Sequence, residues 1–221
     1  MTTVKPLIYR PPMAPFLTIL HEDNDIIVLD KQSGLLTVPG KPLSHRDCLE
    51  SRVNAEYGVA TIVHRLDMET SGVIIMARTM AAHRHLSKQF EMRQTQKTYI
   101  ARVFGRVEKE EGSIDLPLIC DWPNRPKQMV DHEKGKPALT HYSVIEREVN
   151  ATRVLLKPIT GRSHQLRVHM LSLGHVMLGD NLYASGEAHA MADRLQLHAA
   201  TLALTHPISG APMHFTAPIP F

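Results

Sequence analysis

The sequence predicts an α+β domain built on a mixed, mainly antiparallel β-sheet with flanking helices. Two observations carry this. Apolar runs rich in Val and Ile outnumber amphipathic helical patterns, and several of these runs are joined by turns too short for a helical crossover. Composition supplies a third. With 221 residues, 43% hydrophobic and 21% charged, the chain is long and apolar enough to bury a sizeable core, which excludes a mainly disordered protein.

Taken in order, residues 1–15 are proline-rich, carry Lys5 and Arg10, and read as a loosely held arm before a domain spanning 16–221. They contain no apolar run of signal-peptide type, and no stretch of the chain approaches the roughly 20 apolar residues of a membrane span. A cytoplasmic protein is expected. Segments 16–20 and 26–30 form a hairpin around the polar turn 21–25, followed by a loop over 32–42. A short helix over 46–57 stops at Gly58.

Residues 61–63 and 72–77 read as buried strands flanking the polar segment 64–71. A helix over 80–93 follows, with Ala82, Leu86 and Phe90 at i, i+4 and i+8 as its core face; Arg84 and Lys88 are left for solvent or phosphate. Strands are expected at 98–104, 140–146 and 153–156, with a long loop over 116–136 between the first two. A second helix over 163–173 places Leu166, Met170 and Leu173 on one stripe before Gly174. Two further strands surround the turn at 207–210.

Charge is unevenly spread. The whole chain is only +3, yet 78–106 carries seven basic residues against the single acid Glu91, and 151–179 carries Arg153, Lys157, Arg162 and Arg167 with no acid. A basic face on a mildly acidic body suits a polyanion, although solvated helix faces produce similar runs. Cys48 and Cys120 lie far apart without CxxC spacing, so neither a disulfide framework nor a cysteine-rich zinc site is expected. The glycine-rich phosphate loops of nucleotide-binding proteins are missing.

Three segments put polar residues where a fold does not need them. In 64–72, HRLDMETSG, a charged patch sits between strongly apolar runs, where rigid strands commonly hold catalytic loops. From composition alone the plainer reading is preferred: a turn whose Asp67 or Glu69 satisfies backbone N–H groups. In 97–103, KTYIARV, Tyr99 lies on a basic strand, where tyrosines are ordinarily packing residues. In 160–167, TGRSHQLR, Thr160 and Gly161 open a helix whose first turns carry Arg162, His164, Gln165 and Arg167. Its positive end suits an anion, and a solvated face fits equally well.

Together these segments resemble the RluA family of pseudouridine synthases. HRLDMETSG is similar to the family's signature HRLDxxTSG, TGRSHQLR to its later TGRxHQ[IL]R motif, and Tyr99 falls in the expected KxYxA strand. The resemblance runs from about residue 16 to the C-terminus. The 116–128 segment, with ICDWPNRPK, resembles one branch of the family in particular. Larger relatives carry an N-terminal S4 RNA-binding domain. None is expected here, which would leave recognition to the catalytic domain itself.

The resemblance implies a central RNA-binding cleft and chemistry that breaks the N1–C1′ bond of uridine, turns the base and rejoins it through C5, with no cofactor or metal. It implies Asp67 as the essential carboxylate, as nucleophile at C1′ or as the group that helps remove a ribose proton. It implies Arg167 as that carboxylate's buried basic partner; a guanidinium can grip both oxygens, and its nearest nitrogen is expected within about 4 Å of an Asp67 oxygen, the ion-pair limit. Tyr99 is implied as the residue stacking on the target base and handling the C5 proton, and Arg65 as the filler of the space a flipped base leaves. His64, Arg84, Lys88, Arg93, Arg162 and His164 complete the expected RNA-binding set. The implied partners are a 23S rRNA hairpin loop and a tRNA anticodon stem-loop, bound by a monomer with no obligatory protein partner.

Two other classes of function fit the sequence less well. The 14 histidines invite a metal hydrolase, but no HExxH occurs, and His164 and His169 at i+5 do not share a helix face. An RNA-binding or RNA-remodelling module would use the basic face but would not need Asp67, Tyr99 and Arg167 together.

Overall fold

The computed structural model describes residues 8–221. A ten-stranded mixed sheet runs through the molecule. Its first half contains β1 (Ile19–Glu22), β2 (Ile26–Lys31), β3 (Thr61–Ile62) and β4 (Ser71–Ala77). Its second half contains β5 (Gln96–Phe104), β6 (Glu111–Asp115), β9 (Leu139–Arg147) and β10 (Ala151–Pro158). Between β6 and β9, β7 (Leu118–Cys120) and β8 (Gln128–Val130) form a separate hairpin. The last two strands are β11 (Leu197–Thr205) and β12 (Pro212–Thr216). The main order is β1-β2-β4-β11-β5-β10-β9-β6, with β3 on β4 and β12 on β11. All these pairings are antiparallel except β4 with β11, so the expected mixed, mainly antiparallel sheet is what the chain forms.

β2 and β4 are apolar on both faces, and the structure gives the reason. Ile26, Val28, Val73 and Ile75 enter one cluster with Ala82 and Leu86 of helix α2 (Met80–Glu91). Their neighbours Ile27, Leu29, Ile74 and Met76 enter another on the opposite face, with Leu49 and Val53 of helix α1 (Leu49–Tyr57). A strand covered on both sides has no solvent face to mark by alternation. The second half is covered by helix α3 (Gln165–Ser172), whose Leu166 and Met170 pack with Val103, Val154 and Leu156.

The halves meet at the short parallel contact of β4 with β11, where Ser71 lies opposite His198 and Gly72 opposite Ala199. A Cβ on Gly72 would come within 2.2 Å of the Ala199 carbonyl oxygen, and its φ is 114°. Only glycine allows this approach.

Several local expectations are corrected. The 116–136 loop contains the β7–β8 hairpin, strands too short to show periodicity. Strand β6 and the short helix α4 (Gly186–Ala190) were not anticipated. α2 ends at Glu91 rather than 93, with Arg93 turned into the left-handed region at φ 57°. Residues 8–15 are more closely held than a loose arm: the Tyr9 hydroxyl donates to the Asp47 carbonyl and accepts the Leu36 N–H. The remainder of that arm lies outside the described residues. Cys48 and Cys120 are free thiols, and Cys48 caps α1 by accepting the Ser51 N–H. Among the described residues no helix is long and apolar enough to cross a membrane.

Candidate active site

The loop joining β3 to β4 is held by its backbone. The Leu66 carbonyl accepts from the Thr37 hydroxyl at 2.7 Å, the Glu69 carbonyl from the Ser33 hydroxyl at 2.6 Å, and the Met68 carbonyl from the Gly34 N–H at 2.9 Å. Lys31, at the end of β2 and wholly buried, donates to the carbonyls of Gln32, Leu35 and Met68. Burial lowers its pKa to about 7, against the opposing pull of Asp67 and Glu69. Ser71 is fixed from the other side by His198 Nδ1 at 2.8 Å and by Arg194, which donates at 2.5 Å. A loop with its carbonyls occupied on both sides of Asp67 presents that side chain in a fixed place.

Asp67 opens into a cleft of about 480 Å³ between the two halves of the sheet. Tyr99, Arg65, Arg93, Arg162, His164 and Arg167 all line it, so most of the expected site residues are brought together. Arg84 and Lys88 are the exceptions. Both are exposed on α2 away from the cleft lining, because its inward face belongs to Ala82, Leu86 and Gln89.

His64 is on the cleft wall but has its own structural task. Its Nε2 accepts the Ile75 N–H at 3.1 Å, and its ring stacks on Phe90 with centroids 4.4 Å apart. Burial drives its pKa down to about 3, with Lys97 acting in the same direction, so it stays neutral. Lys97, absent from the expected set, also lines the cleft, and burial lowers its pKa too.

The electrostatic centre is Arg167, its side chain 2% exposed. Nη1 lies 3.6 Å from Asp67 Oδ2, within ion-pair range as expected. The guanidinium does not take both Asp67 oxygens. Its fork engages Asp180 instead, Nε to Oδ2 at 2.8 Å and Nη2 to Oδ1 at 2.6 Å. Asp180 is wholly buried and also accepts the N–H groups of Leu182 and Tyr183. The Tyr183 ring lies 5.1 Å from the Arg167 guanidinium carbon. A buried arginine needs such a carboxylate, and Asp180 supplies it from a segment that carries no motif.

The second helix also differs from its expectation. It begins at Gln165, and His164 precedes it in the left-handed region at φ 52°. Gln165 Oε1 accepts from the Thr160 hydroxyl and the Arg162 N–H, while its Nε2 donates to Leu139 and Thr140. Residues Gln165 to Met170 are all buried, so α3 has no solvated face here. Arg162 reaches the cleft with its Nε donating to the Pro137 carbonyl.

Tyr99 sits mid-sheet, opposite Ala199 on one side and Leu156 on the other, where the cores of the two halves touch. Burial, reinforced by Asp67, pushes its phenol well above the usual tyrosine range. It therefore stays protonated. Arg65 is exposed at the mouth.

The cleft thus joins a carboxylate beside a buried guanidinium, a neutral phenol on an apolar floor, and a basic rim. Residues 25–172 match the family model described as RNA pseudouridylate synthase. The chain is 58% identical over 214 residues to the dual-specificity RNA pseudouridine synthase RluA of Escherichia coli K12, covering 96% of this chain and 98% of that one. It is 51% identical to the protein of the same name from Pasteurella multocida over the same shares. Among solved structures, human RNA pseudouridylate synthase domain containing 1 superposes with a TM-score of 0.78 at 28% identity, covering 93% of this chain and 84% of that one. The match over more than half of the sequence, together with relatives this similar along their whole length, shows that the chain belongs to the RNA pseudouridylate synthase family.

Proposed function

We propose that this enzyme isomerises specific uridines of structured RNA to pseudouridine, with Asp67 as the catalytic carboxylate acting on an extruded nucleotide. The observation that carries the reading is the arrangement around Asp67: an accessible carboxylate on a rigid loop, 3.6 Å from an arginine that is itself locked in place. A carboxylate stripped of water by a bound nucleotide is driven toward its neutral, inert form. A guanidinium fixed beside it opposes that change at any working pH.

The other groups fit the same chemistry. The floor of the cleft at Tyr99 offers a flat ring for a base to lie on. As a neutral phenol, it takes up the C5 proton only by passing on its own. Arg65 at the mouth fills the gap that the flipped base leaves. Arg93, Arg162 and Lys97 meet the flanking phosphates, which position RNA without reading its sequence. A loop nucleotide is the favoured target, because unstacking it costs less than opening a duplex.

The name of the relatives, dual-specificity RNA pseudouridine synthase, supports two classes of substrate. We assign these to a 23S rRNA hairpin loop and a tRNA anticodon stem-loop, acted on by a cytoplasmic monomer. Pseudouridine mapping of total RNA from a strain lacking this chain tests the assignment. Sites should disappear from both RNA classes and return with the wild-type chain but not with Asp67→Asn. Loss in one class only would remove the dual specificity, and an unchanged map would refute the function.

A further inference from the structure

Between the β7–β8 hairpin and Asp67 runs a chain of polar contacts that the reaction as described does not use. The Tyr183 hydroxyl accepts the Gln128 N–H at 2.8 Å and lies 2.8 Å from His164 Nδ1; the Gln128 carbonyl is more distant, at 3.4 Å. On the other side of the imidazole, His164 Nε2 is 4.0 Å from Asp67 Oδ2. Two cations lie near the Tyr183 ring, Arg167 at 5.1 Å and Lys127 at 5.9 Å. His164 occupies a left-handed backbone position, φ 52°, which a non-glycine residue adopts only where its surroundings hold it there.

Distances favour one direction for this chain. The Gln128 N–H can only donate, so it occupies a lone pair of the Tyr183 oxygen. Of the two acceptors open to the single hydroxyl proton, His164 Nδ1 at 2.8 Å is nearer than the Gln128 carbonyl at 3.4 Å, and an N–H on the Nε2 side, toward the Asp67 carboxylate, fits the same direction. A neutral imidazole that accepts on Nδ1 carries its proton on Nε2. Burial keeps His164 on the neutral side, lowering its pKa against the pull of Asp67. In that tautomer the imidazole turns an N–H dipole, not a lone pair, toward the carboxylate.

We propose that Tyr183 is a positioning residue that sets the His164 tautomer, so that a neutral Nε2–H faces Asp67 and supports its ionised form alongside Arg167. The opposite tautomer would aim the Nε2 lone pair at a negative oxygen and work against Arg167. The same hydroxyl is tied to the backbone of the β7–β8 hairpin, so the seating of that hairpin and the tautomer of His164 are linked through one atom. The inference rests on Asp67 being the catalytic carboxylate, but its structural half is measurable without any turnover.

Nitrogen-15 NMR of histidine-labelled enzyme near neutral pH reads the tautomer directly, the His164 signals being assigned by their loss in His164→Gln. The expected result is a proton on Nε2 and a bare Nδ1 in the wild-type protein. Tyr183→Phe keeps the ring beside Arg167 and removes only the hydroxyl. It should shift His164 toward the other tautomer and lower kcat by about tenfold, the scale of one lost hydrogen bond in a charged network. KM for a hairpin RNA should stay within about twofold, since uniform binding is untouched. A wild-type proton on Nδ1 overturns the proposal, and this reading needs no variant to fold. So does a Tyr183→Phe protein whose tautomer is unchanged, whatever its activity. Wild-type enzyme with the expected tautomer but no pseudouridine formation would instead count against the proposed function.

Discussion

Two regions of the molecule offer a carboxylate to Arg167, and they do so differently. Asp180, from the 177–183 segment, is wholly buried and takes both arms of the guanidinium fork at 2.6 and 2.8 Å. Asp67, from the β3–β4 loop, keeps 28% of its side chain exposed and meets only Nη1, at 3.6 Å. The buried acid orients the arginine and neutralises it. The cleft acid receives the field of that arginine without being gripped, so its oxygens remain open to a ligand. One cation serves as structure toward one acid and as electrostatic support toward the other.

Removing the shared cation should have the largest effect. Arg167→Met leaves Asp180 buried without its partner, and breaking such a pair costs about 3–5 kcal/mol. Urea unfolding should show that loss, and most pseudouridine formation should go with it. Arg167→Lys keeps the charge but not the planar fork, so both stability and activity should be intermediate. A lysine variant equal to wild type in both assays would mean that the fork on Asp180 is dispensable.

A medium effect is expected from pH, and it sharpens the contrast between loop anchors and cleft groups. His64 and His198 hold the two ends of the segment around Asp67 in their neutral forms, with pKa values lowered to about 3 and about 4, chiefly by burial. In the unfolded chain both titrate near the ordinary histidine value of about 6.5. Below that pH the unfolded state binds more protons than the folded one, so stability falls as pH drops through the window from about 6.5 toward 4. Unfolding midpoints followed across this range should decline. The decline should be shallower in His64→Gln, and an identical slope would remove His64 from the account.

The smallest effect separates the cleft rim from the outer helix face. Arg93 lines the cleft, whereas Arg84 and Lys88 do not. Replacing Arg93 by Gln should reduce the salt dependence of RNA binding by about one unit, the signature of one lost phosphate contact. Equal losses from Arg84→Gln or Lys88→Gln would place RNA across α2 as well.

How legible these features were in the sequence follows the same division. The loop around Asp67 stood out because charge is packed between two apolar runs, and the resemblance gave its residues roles. Asp180 left no trace: it is one acid in a short irregular segment, and its need arises only when the buried Arg167 is folded against it. Lys31 was hidden for a related reason, since a lysine ending an apolar strand reads as the solvent-facing end, not as a buried donor to three carbonyls. The α2 stripe of Ala82 and Leu86 was readable from spacing. The left-handed turns at Arg93 and His164 were not, because local propensity does not favour them and tertiary contacts impose them.

The most direct test sets Asp67→Asn beside Asp180→Asn, reading pseudouridine formation, RNA affinity and unfolding free energy in the same preparations. Asp67→Asn should lose activity while keeping RNA binding and most of its stability, because Arg167 retains Asp180 as its buried counter-ion. Asp180→Asn should be destabilised far more, because a buried guanidinium loses its counter-ion. Activity of Asp67→Asn within about tenfold of wild type, a difference of only about 1.4 kcal/mol in the barrier, would contradict its role as the catalytic carboxylate.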